Sequence, residues 1–191
     1  MILLIDLCYR NGSLGFDEFV RPVARIVRHS GNDVIPVHFR SLNDHTFSRA
    51  EAVILCGTPL ADTAFLAEPG AFSWLKETSL PVLGICAGME VICTIFGGTL
   101  RPCTEIGMTE VSVIGNDPIF QGSGSFSAYE IHTLACSSKQ DLEVLAVSDQ
   151  CIQIVRHPDK TIYGVMFHPE VRNNWVIDRF LTCSIEGSIS P

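Results

Sequence analysis

Three side chains in this sequence have the types and the setting for nucleophilic chemistry. Gly84-Ile85-Cys86-Ala87-Gly88 follows an apolar run, Pro81–Ile85, and opens a helix-like stretch, Gly88–Phe96. That is the thiol form of a nucleophile elbow, a sharp strand-to-helix turn that presents the attacking atom. The flanking glycines have a steric reason: the turn brings other backbone close, and side chains at 84 and 88 would obstruct it. Cys86 then stands at a helix N-terminus, where unpaired N–H groups and the helix dipole favour the thiolate. A second apolar run, Ile162–Phe167, ends in His168-Pro169-Glu170. Residues two apart in extended chain face the same side, so His168 and Glu170 can turn together toward one nucleophile. A thiol needs a base to take its proton and return it to a leaving amine, and the base needs an orienting partner. Cys86, His168 and Glu170 fill those roles. Backbone N–H groups of Gly57, Thr58 and Ala87 are the candidate oxyanion hole, provided the strand before Gly57 adjoins the strand before Cys86.

These residues need a frame that brings strand ends together. The first two-thirds of the chain alternates apolar runs with helix-like stretches. The strands expected are Met1–Leu7, Asp33–Phe39, Ala52–Cys56 and Pro81–Ile85, with helices over Phe16–Ser30, Thr63–Thr78 (disturbed by Pro69-Gly70) and Gly88–Phe96. Such alternation implies parallel pairing with right-handed crossovers, and near-continuous apolar strands imply a sheet covered on both faces. The fold class is therefore α/β, a doubly wound, mostly parallel sheet. Ligands in such folds sit outside the carboxyl ends of the strands, where Gly57, Cys86 and His168 all fall. From about Thr104 the chain becomes strand- and turn-rich. Strands are expected at Met108–Ile114, Ser125–Thr133, Leu142–Val147, Ile152–Val155 and Ile162–Phe167, and turns at 115–118 and 122–124. These add antiparallel strands beside the parallel sheet, and Asn173–Cys183 reads as a closing helix. No repeat or linker interrupts residues 1–191, which are read as a single domain.

Composition narrows the function further. The 191 residues carry 13 Lys plus Arg against 21 Asp plus Glu, a net charge of −8. No basic cluster is present to hold phosphates, so a nucleic-acid partner is not expected. No apolar run reaches the roughly 20 residues that span a bilayer, and the first residues lack the pattern of a signal peptide, so the expected location is the cytoplasm. The eight cysteines, at 8, 56, 86, 93, 103, 136, 151 and 183, include no Cys-x-x-Cys pair. Most are expected to be reduced and buried. Neither Cys nor His falls at zinc-ligand spacing, so no metal is expected. No Gly-x-x-x-x-Gly-Lys-[Ser/Thr] loop or other nucleotide fingerprint is present, and no cofactor is expected.

GICAGMEVICTIFGG (84–98) and YGVMFHPEV (163–171), with LCGTP (55–59) and TEVSVIGNDPIF (109–120), resemble the class I, or triad, glutamine amidotransferases over nearly the whole chain. Free-standing glutaminase subunits are the nearest in length and layout. The resemblance implies a flavodoxin-like fold in which Cys86 attacks the side-chain amide of glutamine, His168 is the general acid/base and Glu170 orients it. It also implies a separate ATP-dependent synthetase subunit that uses the ammonia. AYEIHTL (128–134) falls where the family has a substrate-side loop, which makes His132 a candidate substrate-binding residue; the alternative is an exposed loop histidine.

Three positions depart from the family pattern. Glu90 stands where the family normally has Gln, Thr58 where it normally has Gly, and Met166 where it commonly has Gln. Thr58 resists the φ > 0 conformations open to Gly, which would slow the enzyme if the turn required them. Glu90 either touches the ligand or is a solvated carboxylate in the first turn of a helix. A Glu at this position also occurs in γ-glutamyl hydrolases of the same fold, so a γ-glutamyl hydrolase-like peptidase is one alternative function. A catalytically impaired regulatory or binding subunit is another.

Overall fold

The computed structural model describes residues 1–43, 45–122, 124–138 and 141–185. Its strands are β1 (Ile2–Asp6), β2 (Val34–His38), β3 (Ala52–Leu55), β4 (Val82–Ile85), β5 (Thr99–Val113), β6 (Ser125–Ser138), β7 (Glu143–Val147), β8 (Ile152–Arg156) and β9 (Ile162–Val165). The α-helices are α1 (Arg21–His29), α2 (Ala87–Ile95) and α3 (Trp175–Ile185). All nine strands form one sheet in the order β2-β1-β3-β4-β9-β8-β7-β5-β6. The first five are parallel and the remaining pairs antiparallel. The parallel part has the 2-1-3-4-5 order of flavodoxin-like folds, with β9 as its fifth strand.

Burial on both faces explains the continuous apolar strands. All five residues of β1 are buried. Ile2 and Leu4 enter a core layer with Val23 and Val27 of α1 and Phe180 of α3, whereas Leu3 and Ile5 enter the opposite layer with Met89 and Ile92 of α2. The side-chain period of two thus feeds two cores at once. Pro36, which lacks a ladder donor, lies in the edge strand β2, as its chemistry requires.

Several elements differ from the sequence expectation. The single helix expected over Phe16–Ser30 begins with a wide π-helical turn, Phe16–Val20, before α1 takes over. The helix expected over Thr63–Thr78 is instead two 3-10 segments, Ala64–Ala67 and Pro69–Lys76. Pro69 explains the break: its ring disfavours helical backbone at the preceding residue, and Glu68 indeed sits at φ −125°, ψ 54°. Strand β5 starts nine residues earlier than expected, at Thr99, pairing with β6 through a register shift next to Pro102. The turn expected at 122–124 contains Ser123, which lies outside the described residues. Cys93 of α2 and Cys136 of β6 form a disulfide, the exceptions to the expectation that most of the thiols are reduced. Their 43-residue separation offers no local signal. The remaining six cysteines are free, and all but Cys183 are buried.

The β4–α2 junction is the tightest approach in the fold that bears on function. A Cβ on Gly84 would lie 2.5 Å from the Gly88 carbonyl, and one on Gly88 would lie 2.5 Å from the Leu55 carbonyl oxygen. Both obstacles are backbone and cannot swing away. Gly84→Ala and Gly88→Ala are each expected to cost roughly 1–3 kcal/mol or more, typical of overpacking, read as a lower denaturant midpoint at unchanged m-value. Unaltered midpoints would show that the junction is looser than described.

Candidate functional site

Strands β3, β4 and β9 lie side by side, so the residues following them share one edge of the sheet. After β4 the chain reverses at Cys86, which adopts φ 49°, ψ −101°. For a side chain with a Cβ this left-handed conformation costs of order 1–3 kcal/mol. The Cys86 N–H donates to the Val165 carbonyl at 2.8 Å, holding the elbow to β9. Beyond β9, His168 is fully buried, and its Nδ1 donates to Glu170 Oε1 at 2.7 Å. With Nδ1 so engaged, Nε2 is the nitrogen left for proton transfer, and it has no hydrogen-bond partner of ordinary length. The Cys86 thiol is close enough to interact with the ring. Phe19 packs on the imidazole with ring centroids 5.5 Å apart, and a Cβ on Gly57 would come within 2.7 Å of His168 Cε1. Phe19 and the Gly57 backbone thus pack closely against the ring.

Strand β6 closes the site from above. The His168 N–H donates to the Tyr129 carbonyl at 2.9 Å, and Cys86 Sγ lies 3.9 Å from the Ile131 carbonyl oxygen. Between β6 and the elbow is a small cavity lined by Thr58, Cys86, Ala87, Glu90, Ile131 and His132, among others, with a volume of only about 20 Å³. That is room for about one water molecule. A much larger cleft of about 820 Å³ lies between α1 and α3, but it reaches only Glu170 among the candidate residues and holds no nucleophile. The small cavity is the chemically equipped one.

Electrostatics favour a proton shared between Cys86 and His168. Burial pushes the Cys86 thiol up, while the neighbouring His168 charge pulls it down; the net direction is up. Burial works against the His168 imidazolium, but the Glu170 carboxylate and Cys86 outweigh it and hold the ring well above its ordinary value. Glu170 thus favours imidazolium, and imidazolium favours thiolate, against a burial cost that both charged groups bear. The helix N-terminus alone does not decide the state of the thiol.

Thr58 and Ala87 line the cavity, and Gly57 packs beneath His168. None of their N–H groups is hydrogen-bonded to another described residue. Thr58 is not in the left-handed region, and its hydroxyl donates to the Asp62 carbonyl at 3.0 Å, so the turn does not demand glycine there. Glu90 is neither solvated nor a capping carboxylate: it is 6% exposed and faces the cavity, and burial pushes its pKa up to about 8. His132 corrects the loop expectation. It is a buried strand residue of β6, 2% exposed, whose Nδ1 donates to the Cys103 carbonyl at 3.1 Å while Nε2 faces Glu105 and Glu130 at 3.3 and 3.4 Å. Glu105 and Glu130 were not evident from sequence. Their alternation along β5 and β6 with exposed residues such as Ile106 is the only signal, and it does not distinguish a polar inner face from an outer one.

The Glu90 carboxyl couples stability to pH. Its folded pKa lies above the unfolded value, so the native state binds more protons between pH 4.5 and about 8, and stability falls as pH rises through that window. Glu90→Gln is expected to remove this loss: the variant should gain on wild type from pH 5 to pH 8 in paired denaturant titrations. Parallel curves for the two proteins would contradict a buried, protonated Glu90.

Comparison with known proteins places the chain in a family. The family pattern for Glutamine amidotransferase class-I matches residues 16–176. The chain is 32% identical to a GMP synthase (glutamine-hydrolyzing) subunit of Methanosarcina barkeri, over 90% of this chain and 92% of that one. The corresponding Methanosarcina acetivorans protein is also 32% identical, covering 87% and 89%. Among solved structures, a GMP synthase subunit protein from Thermoplasma acidophilum superposes with a TM-score of 0.86 at 23% identity, covering 98% of this chain and 94% of that one. A Thermotoga maritima glutamine amidotransferase gives 0.70 at 18%, covering 100% and 86%. At those identities the structural likeness is one of fold. The family pattern and the sequence relatives carry the assignment: the chain belongs to the class I glutamine amidotransferases.

Proposed function

We propose that residues 1–191 form one glutaminase domain that hydrolyses the side-chain amide of glutamine and passes the ammonia to a separate ATP-dependent synthetase subunit of the GMP synthase type. The observation that carries this reading is the pairing of His168 Nδ1 with Glu170 at 2.7 Å beside a left-handed Cys86, in a chain whose relatives are named as glutamine-hydrolyzing GMP synthase subunits. Cys86 Sγ attacks the amide carbon as its proton passes to His168 Nε2. The tetrahedral oxyanion is met by N–H groups of Gly57, Thr58 or Ala87. His168 then returns the proton to the leaving nitrogen, the C–N bond breaks and ammonia departs, leaving a glutamyl thioester. Water, deprotonated by His168, attacks the thioester and releases glutamate with a free thiol.

A cavity of about 20 Å³ does not admit a glutamine side chain. Substrate binding therefore calls for a wider cavity, reached by movement of β6 or of the 58–63 segment that lines its other side, and a docked synthetase can drive either by binding the open form more tightly. Glu90, which lines the cavity, is then placed to meet the substrate's polar groups, whereas His132, the sequence's other substrate-binding candidate, has its ring nitrogens directed at Cys103, Glu105 and Glu130 and shapes the cavity wall. A buried carboxyl at Glu90 also suits a γ-glutamyl peptide, and relative turnover of that peptide and glutamine separates the two readings.

The decisive assay is ammonia release from glutamine, with and without the synthetase, by wild type and Cys86→Ala. Cys86→Ala is expected to lose at least about 10³-fold in rate, together with labelling by a thiol-directed glutamine analogue. Equal rates in the two proteins would remove the mechanism.

The dependence on pH follows from the same groups. The reactive state holds one proton across Cys86 and His168, so kcat/KM is expected to be bell-shaped. Above about pH 8 Glu90 ionises, and its negative charge makes the pair hold its proton more tightly, carrying the alkaline limb to higher pH. Glu90→Gln should therefore bring the alkaline limb to lower pH. A limb that stays in place would show that Glu90 does not act on the pair.

A further inference from the structure

A second cluster of nucleophilic side chains lies behind the wall formed by His132 and takes no part in the chemistry above. Cys103 Sγ, a Glu105 carboxylate oxygen and Cys151 Sγ all lie within 4.8 Å of one another, and the three residues are 9%, 8% and 8% exposed. Cys103 and Glu105 are two apart on β5, and Cys151 comes from the turn between β7 and β8. Only the sheet brings them together, which is why their spacing in sequence carries no ligand signature. A tetrahedral ion with bonds of about 2.0–2.3 Å needs donor atoms about 3.3–3.8 Å apart. Cys151 Sγ already stands 3.1 Å from Glu105 Oε2, so small side-chain adjustments reach that geometry.

His132 provides an independent observation. Its Nδ1 donates to the Cys103 carbonyl, so in the neutral ring Nε2 carries a lone pair. That lone pair faces Glu105 Oε2 at 3.3 Å and Glu130 Oε2 at 3.4 Å, and Nε2 is buried without a hydrogen-bond partner among the described residues. The amide oxygen of Gln153, whose Nε2 donates to Glu105 at 3.0 Å, is likewise buried without a partner. Glu105 Oε2 accepts from Cys151, Gln153 and Ser148, but the unpartnered His132 nitrogen and Gln153 oxygen are costly in burial unless a donor or a cation stands among them. Two thiols in the donor set select a soft divalent ion over calcium or magnesium. A surface cleft of about 350 Å³, lined by Ser148, Asp149 and Cys151, gives access from solvent.

We propose that Cys103, Glu105 and Cys151 bind one thiophilic divalent cation of the zinc class, with water in the fourth position. Each thiol releases its proton to solvent as its sulfur–metal bond forms, so binding liberates two protons and leaves two thiolates and a carboxylate on the ion. The ion ties β5 to the β7–β8 turn and fixes Glu105 beside His132. This site does not depend on the glutaminase reading and stands if that reading fails.

The test is titration of the purified full chain with Co²⁺ under anaerobic conditions, followed by the thiolate-to-cobalt charge-transfer band. About one ion per chain is expected, with a competing chelator giving the affinity. The band should persist in Cys86→Ala and Cys183→Ala and weaken at least about tenfold in affinity in Cys103→Ser, Cys151→Ser and Glu105→Gln. Circular dichroism verifies that each variant is folded, and Glu105→Gln retains the side chain's shape where a cysteine change does not fold. Wild-type protein that takes up no cobalt, or a band that follows Cys86 or Cys183, overturns the proposal whatever the variants do.

Discussion

The candidate site hangs on one backbone constraint: Cys86 held at positive φ between two glycines that other backbone leaves no room to substitute. Gly88 lets the start of α2 rest on Leu55 of β3, and Gly84 lets it rest on β4. Close seating of α2 on the sheet is what allows a residue with a side chain to be carried through a left-handed turn. The strain at Cys86 is sustained by the apolar cores on both faces, which order β3, β4 and β9 side by side. His168 follows from the same ordering, since it leaves β9 next to the elbow and meets the space that Gly57 leaves open. The chemistry is thus specified at three adjacent strand ends, with Glu170 and Phe19 fixing the ring between them.

Charge is arranged in the opposite way from packing. The cores are built from residues that agree with their surroundings, whereas Glu90, Glu130, His132 and His168 are all buried polar groups in conflict with theirs. Burial drives the carboxyls of Glu90 and Glu130 up to about 8. Two neutral acids at ordinary pH can approach a nucleophile without repelling it, and an amide substrate meets hydrogen-bonding groups rather than fixed negative charge. Such local conflict, tolerated within an otherwise consistent fold, is the usual mark of a site rather than of a scaffold.

Much of this was legible in the sequence where the physics is local. The elbow is readable because glycine spacing reports a turn within five residues, and the parallel strands are readable because two-sided burial leaves uninterrupted apolar runs. Over Thr63–Thr78 the disturbance at Pro69-Gly70 was legible, but the 3-10 form of both segments was not, because periodicity reports which residues face a core and 3-10 turns satisfy it as well. Long-range pairing was not legible. The disulfide between Cys93 and Cys136, the Cys103–Glu105–Cys151 cluster and the burial of His132 all depend on how β5 and β6 lie over the sheet. Their alternation, interrupted by Pro102 and Gly107, does not fix which face turns inward.

The disulfide also constrains how β6 can part from α2. Cys93 lies near the end of α2, the helix that begins beside the nucleophile, and Cys136 lies near the end of β6, the strand that covers it. A covalent rivet there prevents strand and helix from parting as rigid bodies. Movement of β6 away from Cys86 is then confined to bending between Ile131 and the Cys136 tether, while the 58–63 segment on the cavity's other side is not held by that bond.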